Sequence, residues 1–355
     1  MINQIRRGPL PFLLGGASVV ILITGLRAAS GMLNPVLMAA FLALLFQSSV
    51  RALRRRRVPG ALAVGGVVLA VVLGGLLVVG FLAASLRQLA LDFPRYRAGL
   101  EGLVVSLTRS LEARGIDAAR YLETAIEGPR VGQAILDIST ATAGMAGNLL
   151  LTLFIFAFML GGMVRLEDRV AAGDREGGEM AARFMAFSET IRGYMGVRAV
   201  LGLIAAALDV VLLWIVGVEY ALVWGMLSFI LSFVPNIGFT LSVIPPVLLA
   251  LVGLGWQAAV IVLAGYMVIN NVMDNVIGPR YVGREMNMSP LLSFLSVIFW
   301  AWVLGPSGAI LAVPLTVLVR ELAFGPPPAP APAAAPAVTP PPPPPVAAAP
   351  PAVVG

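Results

Sequence analysis

The chain has 355 residues, of which 59% are hydrophobic and 12% are charged, and its mean hydropathy is +0.94. No soluble domain of this size needs so much apolar surface, so the composition predicts a polytopic membrane protein. The sequence contains no cysteine and no histidine, which excludes disulfides, thiol nucleophiles, histidine-based triads and Cys/His zinc sites, and we expect no cofactor. The net charge of +6 lies largely in arginines beside apolar runs, which indicates membrane topology and contact with anionic lipid rather than with nucleic acid.

The N-terminal region, residues 1–86, is predicted to form three spans: Pro9–Leu26, Met32–Val50 and Ala61–Leu86. The first span follows Arg6 and Arg7 without a clear small-residue cleavage site, so we interpret it as an uncleaved helix. The densest positive cluster, residues 51–57, follows the second span. The positive-inside rule places this cluster and the N-terminus in the cytoplasm.

Residues 87–143 are rich in charge, yet apolar residues recur in them at helical spacing. This pattern predicts a small extramembrane domain of amphipathic helices, and the order of the spans places it outside the cell. The domain could serve in subunit contact or as a lid, and the alternative is a solvated helical connector. Residues 144–198 are predicted to form a fourth span, Gly144–Met163, followed by an amphipathic helix along the cytoplasmic face.

The third region, residues 199–324, contains two ordinary spans, Ala199–Gly217 and Trp256–Val272, and two interrupted apolar segments, 221–252 and 289–321. Proline and glycine break the first segment at residues 235–238 and the second at residues 305–308, because proline cannot continue the helical hydrogen bonds. Each arm has roughly 13 to 16 residues, short of the ~20 that cross a bilayer. The segments are therefore either re-entrant helical hairpins or kinked transmembrane helices.

Topology favours the hairpins. If the first interrupted segment returns to its own side, the loop that carries Arg280 and Arg284 lies in the cytoplasm, in agreement with the positive-inside rule. The expected fold is then an all-α membrane protein with about eight membrane segments, including two hairpins, and a cytoplasmic C-terminus. Residues 325–355 are almost pure proline and alanine and are predicted to be a disordered tail, either a spacer or a PxxP-type ligand.

Ionisable and amide side chains inside apolar segments are the candidate functional groups, since they are costly in a membrane. Asp209 lies in the middle of a span, and it is either an ion relay or a buried partner of an arginine or of helix N-terminal amides. Asp274 is either a proton-coupling group or a helix cap. Together with the two breaks, the candidate substrate-binding or gating residues are Pro235, Asn236, Gly238, Asn270, Asn271, Asp274, Asn275, Gly305, Pro306, Ser307 and Gly308. Broken helices expose main-chain donors and acceptors, which suit a small polyhydroxylated solute, although proline and glycine could also simply shape the turns.

Two C-terminal stretches carry a family resemblance. The stretch GVEYALVWGMLSFILSFVPNIGFTLSVIPPVLLAL and the stretch NNVMDNVIGPRYVGREMNMSPLLSFLSVIFWAWVLGPSGAILAVPLTVLVREL resemble the signatures of the autoinducer-2 exporter family, also called PerM-like permeases. The likeness covers residues 1–321. The resemblance implies an eight-segment inner-membrane protein with two hairpins. It also implies a homo-oligomer, a pentamer, whose protomers transport by an elevator-like motion. Gly278 stands where family members often carry an acidic residue, which places ion coupling at that position in doubt.

Three functions remain open at this point. The first is a secondary transporter that exports a small polar solute, such as an autoinducer-2-like signal. The second is a monovalent cation/proton antiporter that uses Asp209 or Asp274. The third is a non-transporting membrane scaffold in which the hairpins only pack. An intramembrane enzyme is disfavoured, because the sequence offers no nucleophile–base pair.

Overall fold

A computed structural model of the chain describes residues 10–113, 128–171, 178–235, 237–281 and 289–324. These residues are mostly helical and contain no strand, as the sequence predicts. Asn236, the tail 325–355 and the centre of the predicted extramembrane domain lie outside the described residues.

The helices are, in chain order, α1 (Leu10–Ala28), α2 (Ser30–Arg55), α3 (Gly60–Glu112), α4 (Gly128–Ala171), α5 (Gly178–Val216), α6 (Ala221–Leu231), α7 (Gly238–Leu254), α8 (Trp256–Asn271), α9 (Gly278–Tyr281), α10 (Pro290–Leu304), α11 (Pro306–Ile310) and α12 (Ala312–Phe324). A π-helical segment, Val272–Ile277, joins α8 to α9.

Within the described residues, five stretches are long and apolar enough to cross a membrane: Ser30–Arg55, Gly60–Ser106, Gly147–Arg169, Ser188–Val216 and Trp256–Ile277. Large apolar side chains are exposed along them, Leu77 at 74% and Ile215 at 80%, so much of the helical surface is suited to lipid rather than to water. The chain is therefore a multi-pass membrane protein. The two arms of the first interrupted segment, α6 and α7, are shorter, with 11 and 17 residues.

The region predicted as a separate extramembrane domain begins as a continuation of the third span. Helix α3 runs without interruption for 53 residues and passes residue 86 in mid-helix. It accommodates Pro94, which removes one hydrogen bond but does not end the helix. On the other side, α4 starts at Gly128 and leads directly into the fourth span. The helical periodicity within residues 87–112 and 128–143 thus lies in helices that are continuous with the third and fourth spans.

Two of the four apolar clusters among the described residues show how the two breaks connect to the rest of the helices. One joins α2, α3 and α4, where Ala39 and Ala43 leave room for the fully buried Phe156 and Leu160. The other joins α2 and α5 to both interrupted segments, and it contains Phe233 just before the first break and Leu304 just before the second. The two breaks are therefore part of one packed unit, which α2 links to the first cluster.

The turn between α5 and α6 is tied to α3 by polar contacts. Tyr220 adopts a left-handed backbone conformation, with a φ of 61°, and its hydroxyl donates to Asp92. Tyr96 donates to Glu219, which also lies 3.5 Å from an Arg95 guanidinium nitrogen. Burial raises the pKa of Tyr220 above its usual value, and the hydrogen bond to Asp92 adds to the effect. These contacts hold the start of the first interrupted segment against the long helix α3.

Candidate functional site

A cavity of about 400 Å³ lies among α5, α6, α7 and the end of α8. Its wall mixes apolar side chains with amides, hydroxyl groups and one pair of opposite charges. The lining residues are Arg198, Leu201, Gly202, Ala205, Ser228, Leu231, Ser232, Val234, Pro235, Phe239, Ser242, Met267, Asn270, Asn271, Met273, Asp274 and Asn275. The cavity therefore brings the first break together with the polar end of α8, which are separated by more than thirty residues in the sequence.

The first break shapes one side of this cavity. Helix α6 ends at Leu231. The turn that follows has three backbone hydrogen bonds between residues three apart, including Val234 N–H to Leu231 O at 2.9 Å. Pro235 has no N–H to continue the helix. Gly238 starts α7 directly against the end of α6, where a Cβ atom would lie 1.9 Å from Leu231 O. A glycine is needed at residue 238 because the returning helix begins in contact with a backbone carbonyl.

The polar end of α8 forms the opposite side. Asn270, Asn271, Asp274 and Asn275 all line the cavity, as expected of residues that lie one turn apart on one side of a helix. Residues 272–277 form a π-helical turn, which is wider than a turn of α-helix. Asn270 is further fixed by its amide, which donates to Tyr266 O at 3.0 Å.

Asp274 is paired with a cation. A guanidinium nitrogen of Arg198 on α5 lies 2.5 Å from a carboxylate oxygen of Asp274, and the two side chains are 17% and 44% exposed. The Nε atom of Arg198 is buried and has no hydrogen-bond partner among the described residues. Asp274 lies inside a continuous helix and binds a side chain of another helix, so it is not a helix cap. Sequence reasoning missed Arg198, which it assigned to the charged linker before the fifth span.

The second break has similar local geometry but does not line the cavity. Gly305 has a φ of 73°, and a Cβ atom at Gly308 would lie 2.0 Å from Trp300 O. Ser307 donates to Leu304 O at 3.0 Å, and the same carbonyl accepts the Asn34 amide of α2 at 3.0 Å. The predicted residues Gly305, Pro306, Ser307 and Gly308 are thus in contact with α2 and with their own segment, while the cavity is bordered by the first break alone.

The structure also shows the contacts of two other positions that the sequence singled out, Asp209 and Gly278. Asp209 is completely buried on α5, and its partner is the hydroxyl of Ser228, which donates to Oδ2 at 2.6 Å. Among the described residues, Asp209 is bonded neither to an arginine nor to helix N-terminal amides, the partners that the sequence offered. Gly278 is buried, and a Cβ atom there would lie 3.1 Å from Met273 O and 3.8 Å from a Leu201 methyl group. An acidic side chain at residue 278 would press on the π-helical backbone.

Comparison with known proteins identifies relatives over most of the chain. The family model described as AI-2E family transporter matches residues 17–323. The AI-2 transport protein TqsA of Escherichia coli strain K12 is 32% identical over 308 residues, which cover 85% of this chain and 88% of TqsA. A putative transport protein of Haemophilus influenzae is 28% identical over 87% of this chain and 90% of its own length. The putative transport protein YhhT of E. coli K12 is also 28% identical, over 86% and 87% of the two chains.

Proposed function

Because this chain belongs to the AI-2E transporter family, we propose that it is a secondary transporter that exports a small polar solute, with an AI-2-like signal as the substrate. The family supplies the class of activity. The name of TqsA supplies the candidate solute, and the direction of transport is part of the proposal.

One observation carries the proposal: the cavity of about 400 Å³ has a wall of amides and hydroxyl groups in the middle of apolar helices. A volume of this size is at the small end of ligand pockets, which range over about 300–1,000 Å³. Asn271 and Asn275 offer both donors and acceptors, and Ser228 and Ser232 add hydroxyl groups. A compact solute with several oxygens can pair with such a wall, whereas an apolar solute would leave these groups unpaired.

The broken helix at the cavity also supports re-entry into the membrane. An 11-residue helix rises by about 16 Å, roughly half of the ~30 Å hydrocarbon core. We infer that α6 and α7 enter and return as a hairpin, and that α10 to α12 do the same. Both chain termini then lie on the cytoplasmic side of a bacterial inner membrane. In an elevator-type motion, the unit that contains α5 to α8 would carry the solute past α2 to α4. Assembly as a homo-oligomer, a pentamer by family likeness, belongs to the same proposal.

A monovalent cation/proton antiporter is the second candidate, because a specific observation favours it. Asp209 is an acidic group with no exposed surface, and Asp274 faces the cavity as half of an ion pair. Acidic groups inside membranes mark ion or proton pathways in many transporters. The two functions are compatible if ion movement drives solute export.

The test uses the purified protein in proteoliposomes that are loaded with AI-2. Vesicles with the wild-type protein should release AI-2 faster than protein-free vesicles. Asn271→Leu or Asn275→Leu should slow the release, because each removes an amide from the cavity wall. Gln257→Leu is the matched control, since Gln257 is an exposed polar residue at the other end of α8. Equal release by wild-type and protein-free vesicles would overturn the proposal.

Site-directed labelling gives an independent test, because the chain contains no cysteine. A single cysteine at residue 275 should react with a small thiol reagent, and AI-2 should slow that reaction. A cysteine at residue 257 should react equally with and without AI-2. Protection at neither or at both positions would contradict the proposed binding cavity.

A further inference from the structure

Asp209 is a buried acidic side chain whose hydrogen bonding is incomplete among the described residues. Its side chain has no exposed surface, and it lies on a helix that is apolar enough to cross the membrane. Oδ2 accepts the Ser228 hydroxyl at 2.6 Å, but Oδ1 has no hydrogen-bond partner among the described residues. A carboxyl group that is removed from water, and that lacks a cation beside it, must hold a proton or bind an ion.

The groups that face this carboxyl from the neighbouring helices are uncharged. Ser228 on α6 hydrogen-bonds to it, and the Asn270 amide and the Tyr266 phenol on α8 are its polar neighbours. The charged pair Arg198–Asp274 is internally neutralised, and Arg198 lies three turns away on α5, about 16 Å along the helix axis. No counter-ion therefore accounts for Asp209 in the part of the chain that the structure describes.

Tyr266 on α8 is a second buried polar side chain with incomplete hydrogen bonding. Its side chain is completely buried, and its hydroxyl has no hydrogen-bond partner among the described residues. The phenol lies within electrostatic range of Asp209. An unpartnered carboxylate oxygen and an unpartnered hydroxyl are both unfavourable in an apolar interior. A proton on the carboxyl group neutralises its charge, which lowers the cost of holding the group away from water.

Close packing holds these groups in place. A Cβ atom at Gly225 of α6 would lie 2.1 Å from a Val210 methyl group of α5, and one at Gly265 of α8 would lie 2.3 Å from a Leu212 methyl group of α5. Both contacts are within one helical turn of Asp209. Small residues at these points let the three helices approach closely, which favours a proton over a larger cation as the occupant.

We propose that Asp209 is the proton-coupling site of the transporter, an inference that rests on the proposed function. Asp209 binds one proton on its carboxyl group and releases it as a carboxylate, with Ser228 as the link to the solute. Ser228 both donates to Oδ2 and lines the cavity. Its hydroxyl is held more strongly by the carboxylate than by the neutral acid. Protonation of Asp209 therefore frees the hydroxyl to pair with the solute, and deprotonation withdraws it.

Infrared difference spectroscopy of the full chain tests the proton site without any solute. Wild type should show the carbonyl stretch of a protonated carboxylic acid, which shifts in heavy water and disappears as the pH rises. Asp209→Asn should lose this band, and the control Asp168→Asn, an exposed carboxylate on α4, should keep it. Tyr266→Phe retains the carboxyl group and should shift the band, which provides a second variant if Asp209→Asn does not fold. An unchanged band in both variants overturns the proposal.

Transport in proteoliposomes tests the coupling. An imposed pH gradient should accelerate AI-2 release by wild type, and Asp209→Asn should lose this acceleration while it still exchanges AI-2 in the absence of a gradient. Acceleration that persists in Asp209→Asn, or that follows a sodium gradient instead of the pH gradient, overturns proton coupling by Asp209. If wild type moves no AI-2 at all while the infrared band depends on Asp209, the proposed function fails and the proton site stands.

Discussion

Gly238 is the position where a single methyl group should disturb both the stability of the protein and its cavity. In Gly238→Ala, the new Cβ atom would lie 1.9 Å from Leu231 O and 2.8 Å from the Leu231 carbonyl carbon. The carbonyl cannot rotate away freely, because it accepts the N–H of Val234 at 2.9 Å within the turn. Helix α7 must then move by about 1 Å to restore a tolerable contact.

The magnitude follows from three terms. Overpacking costs about 1–3 kcal/mol, and a weakened turn hydrogen bond adds about 1 kcal/mol. The helix preference of alanine over glycine returns up to about 1 kcal/mol. We therefore expect a net loss of about 1–3 kcal/mol, and slower AI-2 release, because the neighbours Pro235 and Phe239 line the cavity and move with the helix.

The assay is thermal unfolding of the purified protein in detergent, followed by tryptophan fluorescence at one heating rate, since unfolding can be irreversible. Gly162→Ala on α4 is the control, because a Cβ atom there meets nothing within 4 Å. Gly308→Ala should also be destabilising, since its Cβ atom would lie 2.0 Å from Trp300 O. If Gly238→Ala unfolds at the same temperature as Gly162→Ala and transports equally well, the close approach at the first break is not what determines its geometry.

Three further predictions concern the surroundings of the cavity. Asp274→Asn should slow AI-2 release by leaving Arg198 unpaired, and the double variant with Arg198→Gln should cost less than the sum of the single variants, as measured by a double-mutant cycle. The raised pKa of Tyr220 keeps its hydroxyl on Asp92 at a pH where the unfolded chain ionises. Stability should therefore fall as the pH rises through about 10, and less steeply in Tyr220→Phe, as shown by thermal midpoints across that range. Gly278→Glu should lower the thermal midpoint, because a side chain at residue 278 presses on a backbone carbonyl 3.1 Å away; an unchanged midpoint would show that the π-helical segment yields without cost.

The family resemblance predicted from the two C-terminal stretches is confirmed by the family match over residues 17–323. The helical, multi-pass character was also predictable, since hydropathy is a local property of each segment. The polar cluster at the end of α8 was visible as four amide and acidic residues within one and a half turns. Their position on one side of the helix was also predictable, because residues 270 and 274, and residues 271 and 275, lie one turn apart. The cavity that they form with the first break was not predictable, because it depends on how α8 packs against distant helices.

Arg198 and Ser228 show a different limit. Each is an ordinary residue in its local context, an arginine at the start of an apolar run and a serine within one. Their roles depend on partners that are 76 and 19 residues away in the chain. Spacing along one helix cannot reveal such pairs, and only the packing of α5 against α6 and α8 brings them into contact.

The sequence by itself determined that the chain is a membrane protein and where its helices break. Both follow from local properties, the hydropathy of each segment and the effect of proline on the backbone beside it. The sequence presented the two breaks as equivalent. The tertiary structure decided that the first break borders the polar cavity, whereas Gly305 to Gly308 pack beside α2. The physical reason is that the exposure of a turn depends on which distant helices cover it, and that is settled by side-chain packing across the whole bundle.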